Sequence, residues 1–217
     1  MNLKDTGANN SVTFGENFTQ VNSKLNVIGN ENIVKVGKNC KISHCNLTIK
    51  GHGASITIAD NVELNGVVLS IFTSCSFSVG AFTTMGNGRI TVAEETRIDI
   101  GKDCMFAHDY LMLTSDMHPI YSLSNGERIN FGRSIFVGDH VWTGVNVSIL
   151  KGVEIDGNCV IGTQSLVNRS IKEKGVVVSG NPAKIIKRDV VWGRKMFNKT
   201  AMDDPRLTKY MNEDGIL

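Results

Sequence analysis

Residues 137–166 read VGDHVW TGVNVS ILKGVE IDGNCV IGTQSL. Every sixth residue from Val137 onward, through Thr143, Ile149, Ile155, Ile161 and Val167, is β-branched. The residue four places after each leading one is small or of medium size: Val141, Val147, Val153, Cys159 and Ser165. Gly138, Gly144 and Gly162 directly follow the leading residue. Short parallel strands on flat faces, one hexad to a face, produce this pattern. The leading residue points inward and stacks on its counterpart in the next coil, the fourth-after residue fits near the corner, and Gly or Asn takes the tight turn. A coil buries its inner face only against its neighbours, so many coils are needed.

The same grammar continues upstream with slips of phase. Val36-Gly37-Lys38-Asn39-Cys40 leads to Ile42, Ile58 through Val62 leads to Leu64, Val79-Gly80 to Met85, Val92-Ala93 to Ile98, and Ile100 through Cys104 to Phe106. The slips imply short insertions at corners. Coils are expected over about residues 10–180, inside one all-β domain spanning 1–186. Two stretches lose the period. Residues 107–134 read as a loop thrown out of a coil, and long loops on a regular scaffold usually carry function. Residues 187–217 are expected to form a helical cap, with one or two short helices over 187–213 interrupted by Pro205. An end coil exposes strand edges and core, which such a cap would cover.

Composition narrows the class. A length of 217 residues suits a single domain with a substantial core, and a net charge of +2 points to neither a nucleic-acid nor a membrane partner. No apolar run reaches the roughly 18 residues needed to span a bilayer, and MNLKDTGANNSV carries no apolar signal region, so a cytoplasmic protein is expected. The five cysteines, Cys40, Cys45, Cys75, Cys104 and Cys159, form no CxxC pair. Three of them fall on the fourth-after position, which marks them as small buried side chains.

The hexads, the NPAKIIK run (residues 181–187) after the VVVSG strand (176–180), and the loop sequence TSDMHPIYS (114–122) resemble the hexapeptide-repeat acyltransferases. Within them the chain is similar to the branch holding galactoside, maltose and xenobiotic acetyltransferases and the bacterial capsule O-acetyltransferases, above all those acting on polysialic acid. The resemblance is specific over 107–188 and rests on the repeat alone before residue 90. It implies a left-handed parallel β-helix, a homotrimer, acetyl-CoA as co-substrate without a metal, and transfer of acetyl to a carbohydrate hydroxyl. A galactoside or maltose-like sugar is the alternative acceptor.

O-acetylation requires a base for the attacking hydroxyl and a donor for the oxyanion that forms on the thioester carbonyl. His118, in the loop that breaks the repeat, is the candidate base, because an unperturbed imidazole titrates near neutrality and the family's catalytic histidine occupies this place in DMHPIY. His44, His52, His108 and His140 lack that context and read as structural. Asp116, two residues earlier, is placed to orient the ring, a task a backbone carbonyl performs equally well. Trp142 ends its hexad outside the inward positions, and the resemblance sets it against the thioester arm of the donor. The resemblance further assigns Gly144 or Val145, Thr163, and the Asn168-Arg169 pair to the pantetheine, with an amide near Gly144 and Val145 as the oxyanion donor. Lys184 and Lys187 fall on the family's phosphate-binding positions. Asn168-Arg169 departs from the more usual Thr-Lys and changes donor geometry there. Asn87 and Arg89 are candidates for contact with the acceptor.

Two rival readings are weaker. A γ-class carbonic anhydrase shares the scaffold but needs closely spaced histidines, and no two here lie four to six residues apart. A non-enzymatic β-helix serving as a binding or structural module leaves the loop histidine, the outward Trp142 and NPAKIIK unexplained.

Overall fold

The computed structural model describes residues 1–196 and 199–213. The chain winds into a left-handed parallel β-helix with three sheets. Sheet A has eight strands, sheet B seven and sheet C nine, and the ninth strand of sheet C, Ala183–Lys187, is antiparallel to its neighbour Val177–Gly180. The chain passes from A to B to C and back to A, so each coil has an A–B, a B–C and a C–A corner.

The hexad reading holds residue by residue. Val137 and Ile155 lie on sheet B, Thr143 and Ile161 on sheet C, and Ile149 and Val167 on sheet A. All are buried, as are Val141, Val147, Val153, Cys159 and Ser165 at the corners. The columns continue through the whole helix. On sheet A, Leu25, Leu47, Leu69, Ile90, Met112, Ile149 and Val167 stack in register, and on sheet B Val36, Ile58, Val79, Ile100, Val137 and Ile155 do the same. This stack of aliphatic side chains is the core.

The slips upstream have a simple cause. Ser148 pairs with Leu166 after three hexads, whereas Lys24 pairs with Asn46 and Asn46 with Val68, each a longer step. The extra residues sit at the corners. One corner solution recurs along B–C, where Asn17, Asn39 and Asn61 all take left-handed backbone conformations with φ of 56°, 54° and 59°. Asn tolerates that conformation better than other side chains with a Cβ. Their carboxamides bond to each other along the axis, at 3.0 Å and 3.2 Å.

Three boundaries differ from the sequence reading. Coils begin at Asn2–Thr6, which pairs with Lys24–Ile28; its side chains are exposed, so it shows no apolar pattern. The extruded segment starts at Thr114, not 107, because Tyr110 and Met112 still fill inward positions of a sheet A strand. Beyond Lys187 the chain has no helix or strand through residue 196, and among the described residues helical turns appear at Ala201–Asp203, Pro205–Leu207 and Thr208–Glu213. This tail runs back along the B–C corner instead of lying across the last coil: Val190 bonds Gly175, Trp192 meets His140, and Arg194 reaches Asp103. Residues 214–217 of the expected cap lie outside the described residues.

All five cysteines are buried. Burial raises the thiols of Cys40, Cys45 and Cys75, and pushes Cys104 up to about 12. Thiolate is the reactive form, so a water-soluble disulfide reagent should titrate essentially no thiol in the native protein at pH 8 and all five after denaturation. A thiol reacting within minutes in the native state would contradict the buried assignment.

Candidate active site

The loop at the A–B corner is ordered by polar contacts at its root. The Glu94 carboxylate, on the preceding coil, accepts bonds from Ser115 Oγ, from Arg128 at 2.8 Å and from the Gly132 N–H at 3.1 Å. The Ser115 and Arg128 bonds hold Glu94 at a pKa of about 2. Asn130 is the second anchor. Its carbonyl accepts the Ile120 N–H at 2.6 Å, and its amide donates to Asp116 and to the His118 carbonyl, both at 2.8 Å. One buried side chain thus fixes the backbone on both sides of His118-Pro119. Asp116 is also paired with Lys151 Nζ, and the bonds from Lys151 and Asn130 hold its carboxyl below the usual range. Both bonds fall on Oδ2 of Asp116, and among the described residues no hydrogen bond joins the carboxylate to the His118 ring.

Glu94 has the depressed pKa of a carboxylate that is bonded in the folded state. Its contribution is therefore full above the unfolded value of about 4.3 and is lost as pH falls toward about 2. Replacing Glu94 by Gln should lower the free energy of loop opening by about 1–3 kcal/mol at pH 7, read as faster proteolytic nicking between residues 120 and 128. Unchanged nicking kinetics would show that the clasp does not hold the loop.

The candidate residues fall into two groups on different sides of the prism. His118 and Asp116 project with the loop at the A–B corner, and Asn168 and Arg169 follow a sheet A strand at the same corner two coils on. Trp142 lies half-buried on the outer face of sheet C. Gly144, Val145 and Thr163 lie along the C–A corner, and Lys184 and Lys187 are exposed on the edge strand of sheet C. The body of the helix separates the two groups.

The C–A corner has the features of a backbone-lined groove. A Cβ on Gly144 would come within 2.8 Å of Thr163, and one on Gly162 within 2.7 Å of Ser179, so the coils approach closely here only because these residues are glycine. The Gly144 N–H is taken, donating to the Ile161 carbonyl at 2.7 Å. The N–H groups of Val145 and Thr163 make no hydrogen bond among the described residues, so within the Gly144–Val145 pair only the Val145 N–H is left to donate. Further along this corner, His108 Nδ1 lies 2.7 Å from Asn87 Oδ1, and Asn87 donates to Asp109 at 2.6 Å. Arg89 stands beside them, exposed and without a salt-bridge partner among the described residues. Among those residues, too, no group of three or more His, Cys, Asp or Glu side chains is placed to hold a metal, and no helix is long and apolar enough to cross a membrane.

Comparison with known proteins bears directly on this arrangement. No family model matches the chain. Over 206 residues it is 49% identical to a polysialic acid O-acetyltransferase of Neisseria meningitidis, covering 95% of this chain and 96% of that one. The chain belongs to the polysialic acid O-acetyltransferase family. A second family member, from Escherichia coli O1:K1, is 33% identical over 155 residues, covering 71% of this chain and 50% of its own. The solved polysialic acid O-acetyltransferase OatWY superposes with a TM-score of 0.94 at 48% identity, covering 96% of this chain and 99% of that one. The polysialic acid-specific acetyltransferase NeuO superposes at 0.88 with 31% identity and 97% coverage of both. The protein is thus an acetyltransferase on the hexapeptide-repeat scaffold.

Glu94 and Asn130, which shape the loop of this family member, escaped sequence reasoning. The one local signal was Glu94-Glu95, an acidic pair at a corner where earlier coils carry Asn9, Glu31 and Gly53 in the same left-handed conformation.

Proposed function

We propose that this protein transfers the acetyl group of acetyl-CoA to a hydroxyl of polysialic acid, in sites assembled between copies of a homotrimer. The near full-length likeness to the meningococcal enzyme carries the reaction and the acceptor class. The separation of His118 from Trp142 across the helix supports the shared site, since one copy supplies the base and the next the donor groove. The loop adds to this: Leu123, Ile129, Phe131, Tyr121 and Ile120 are all more than half exposed, an apolar surface suited to burial against a second copy.

In this site the pantetheine arm lies along the C–A corner beside Trp142, within reach of the unpaired Val145 and Thr163 amides, with Lys184 and Lys187 toward its phosphates. His118 of the neighbouring copy removes the proton from the acceptor hydroxyl as its oxygen attacks the thioester carbonyl carbon. The Val145 N–H donates to the resulting oxyanion. Collapse breaks the C–S bond, the imidazolium returns its proton to the thiolate, and coenzyme A and the O-acetyl ester leave. Loop order places the base through Glu94 and Asn130.

Thiol release from acetyl-CoA should be stimulated by polysialic acid and not by neutral galactosides or maltose. Stimulation by a galactoside alone would favour the small-sugar reading, and no stimulation by any glycan would overturn the assignment of the acceptor.

A further inference from the structure

The B–C corner changes character where the tail lies. Below it, Asn17, Asn39 and Asn61 form the carboxamide ladder. In the next coils the same left-handed position holds Phe82, Asp103 and His140, with φ of 63°, 54° and 56°. Phe is a poorer choice than Asn for that conformation. Asp103 and His140 bind the tail through their side chains, and Phe82 does so through its carbonyl. Arg194 donates to Asp103 at 2.9 Å, to Thr84 at 2.9 Å, and to the carbonyls of Phe82 and Cys104 at 3.1 Å and 2.7 Å. Trp192 is locked more fully. Its indole N–H donates to the His140 carbonyl at 2.8 Å, its own carbonyl lies 2.9 Å from His140 Nε2, and its ring stacks on the imidazole at 4.2 Å. The opposite face of that imidazole is covered by Tyr210 at 3.9 Å.

Anchoring a tail needs none of this near the site. Yet Trp192, only 5% exposed, packs against Trp142, with ring centroids 5.9 Å apart at 43°. Trp142 therefore has the tail on its B–C side and the C–A groove on the other. We propose that Trp192 is a positioning residue for the acetyl donor: held by the His140–Asp103–Arg194 clasp, it fixes the Trp142 indole that flanks the pantetheine arm. This inference rests on the placement of the donor beside Trp142.

The test is a double-mutant cycle read as the KM for acetyl-CoA, with the acceptor saturating. Trp142→Ala and Trp192→Ala should each raise that KM about tenfold, and the double variant should be no worse than the poorer single one, because both disturb the same contact. Trp192→Phe, which keeps an aromatic ring on His140, should recover most of the loss. The KM for the acceptor should stay within about twofold in all four variants, which separates donor positioning from general unfolding. Should Trp142→Ala raise the donor KM while Trp192→Ala leaves it unchanged, or should the two effects multiply, the bracing role is wrong and the donor placement stands. Should Trp142→Ala itself leave the donor KM unchanged, the donor placement fails, and the bracing role fails with it.

Discussion

His118→Ala should lower turnover about 100- to 10,000-fold at saturating substrates, the range that loss of a general base produces, with acetyl-CoA affinity nearly intact. The imidazole acts on the acceptor hydroxyl and stands on the opposite side of its own chain from Trp142, so its removal leaves the donor groove as it was. This geometry makes a sharper test available. At acetyl-CoA well below its KM, His118→Ala and Trp142→Ala are each expected to be impaired alone. Dissociated and reassembled together in equal amounts, they should regain activity, because a site formed by the base of a Trp142→Ala copy and the groove of a His118→Ala copy is whole. Random assembly makes about one site in four intact. Turnover that stays at the level of the separate variants after mixing would place both residues of each site in one chain. Near-native turnover of His118→Ala would remove the base assignment altogether.

Ile155→Asp should prevent folding. Ile155 is 3% exposed, in register with Val137 on one side and bridged to Ile171 on the other. A carboxylate there has no cation within its column and loses the aliphatic contacts above and below. An unpaired buried charge costs several kcal/mol, on the order of the whole stability of a typical domain. The expected result is insoluble protein or a melting transition lowered by well over about 10 °C. A soluble variant with an unchanged transition would mean that the column does not depend on this position.

The coils were readable because the leading residue of each hexad meets only its counterparts, so one local rule repeats down the column from Val36 to Ile155. The loop was readable as the place where that rule stops. What holds the loop was not, since Glu94 bonds Arg128 and Gly132, more than thirty residues away, and polar side chains in an aperiodic stretch carry no signal of their partners. The path of the tail over 188–196 was not legible for a similar reason. Its residues have some helical pattern, but Trp192 and Arg194 gain more from His140 and Asp103, 52 and 91 residues earlier, than from continuing a helix. Asp116 shows the limit of reading by spacing. Two residues from His118 it suggests ring orientation, and spacing does not reveal that its Oδ2 accepts from Lys151 and Asn130.

Leu111 and Ser148 are paired on sheet A as if nothing stood between them, and Ile98 pairs with Ile135 on sheet B in the same way. Backbone pairing therefore registers only the two points where the loop leaves and rejoins, fixed by the bond from the Arg133 N–H to the Thr114 carbonyl at 2.9 Å. What lies between meets the scaffold through the side chains of Glu94 and Lys151 and can be exchanged as one piece. A segment from a relative with another acceptor needs to bring only that closure and its own root contacts, and the melting temperature of the chimera should then follow the columns while its choice of acceptor follows the graft.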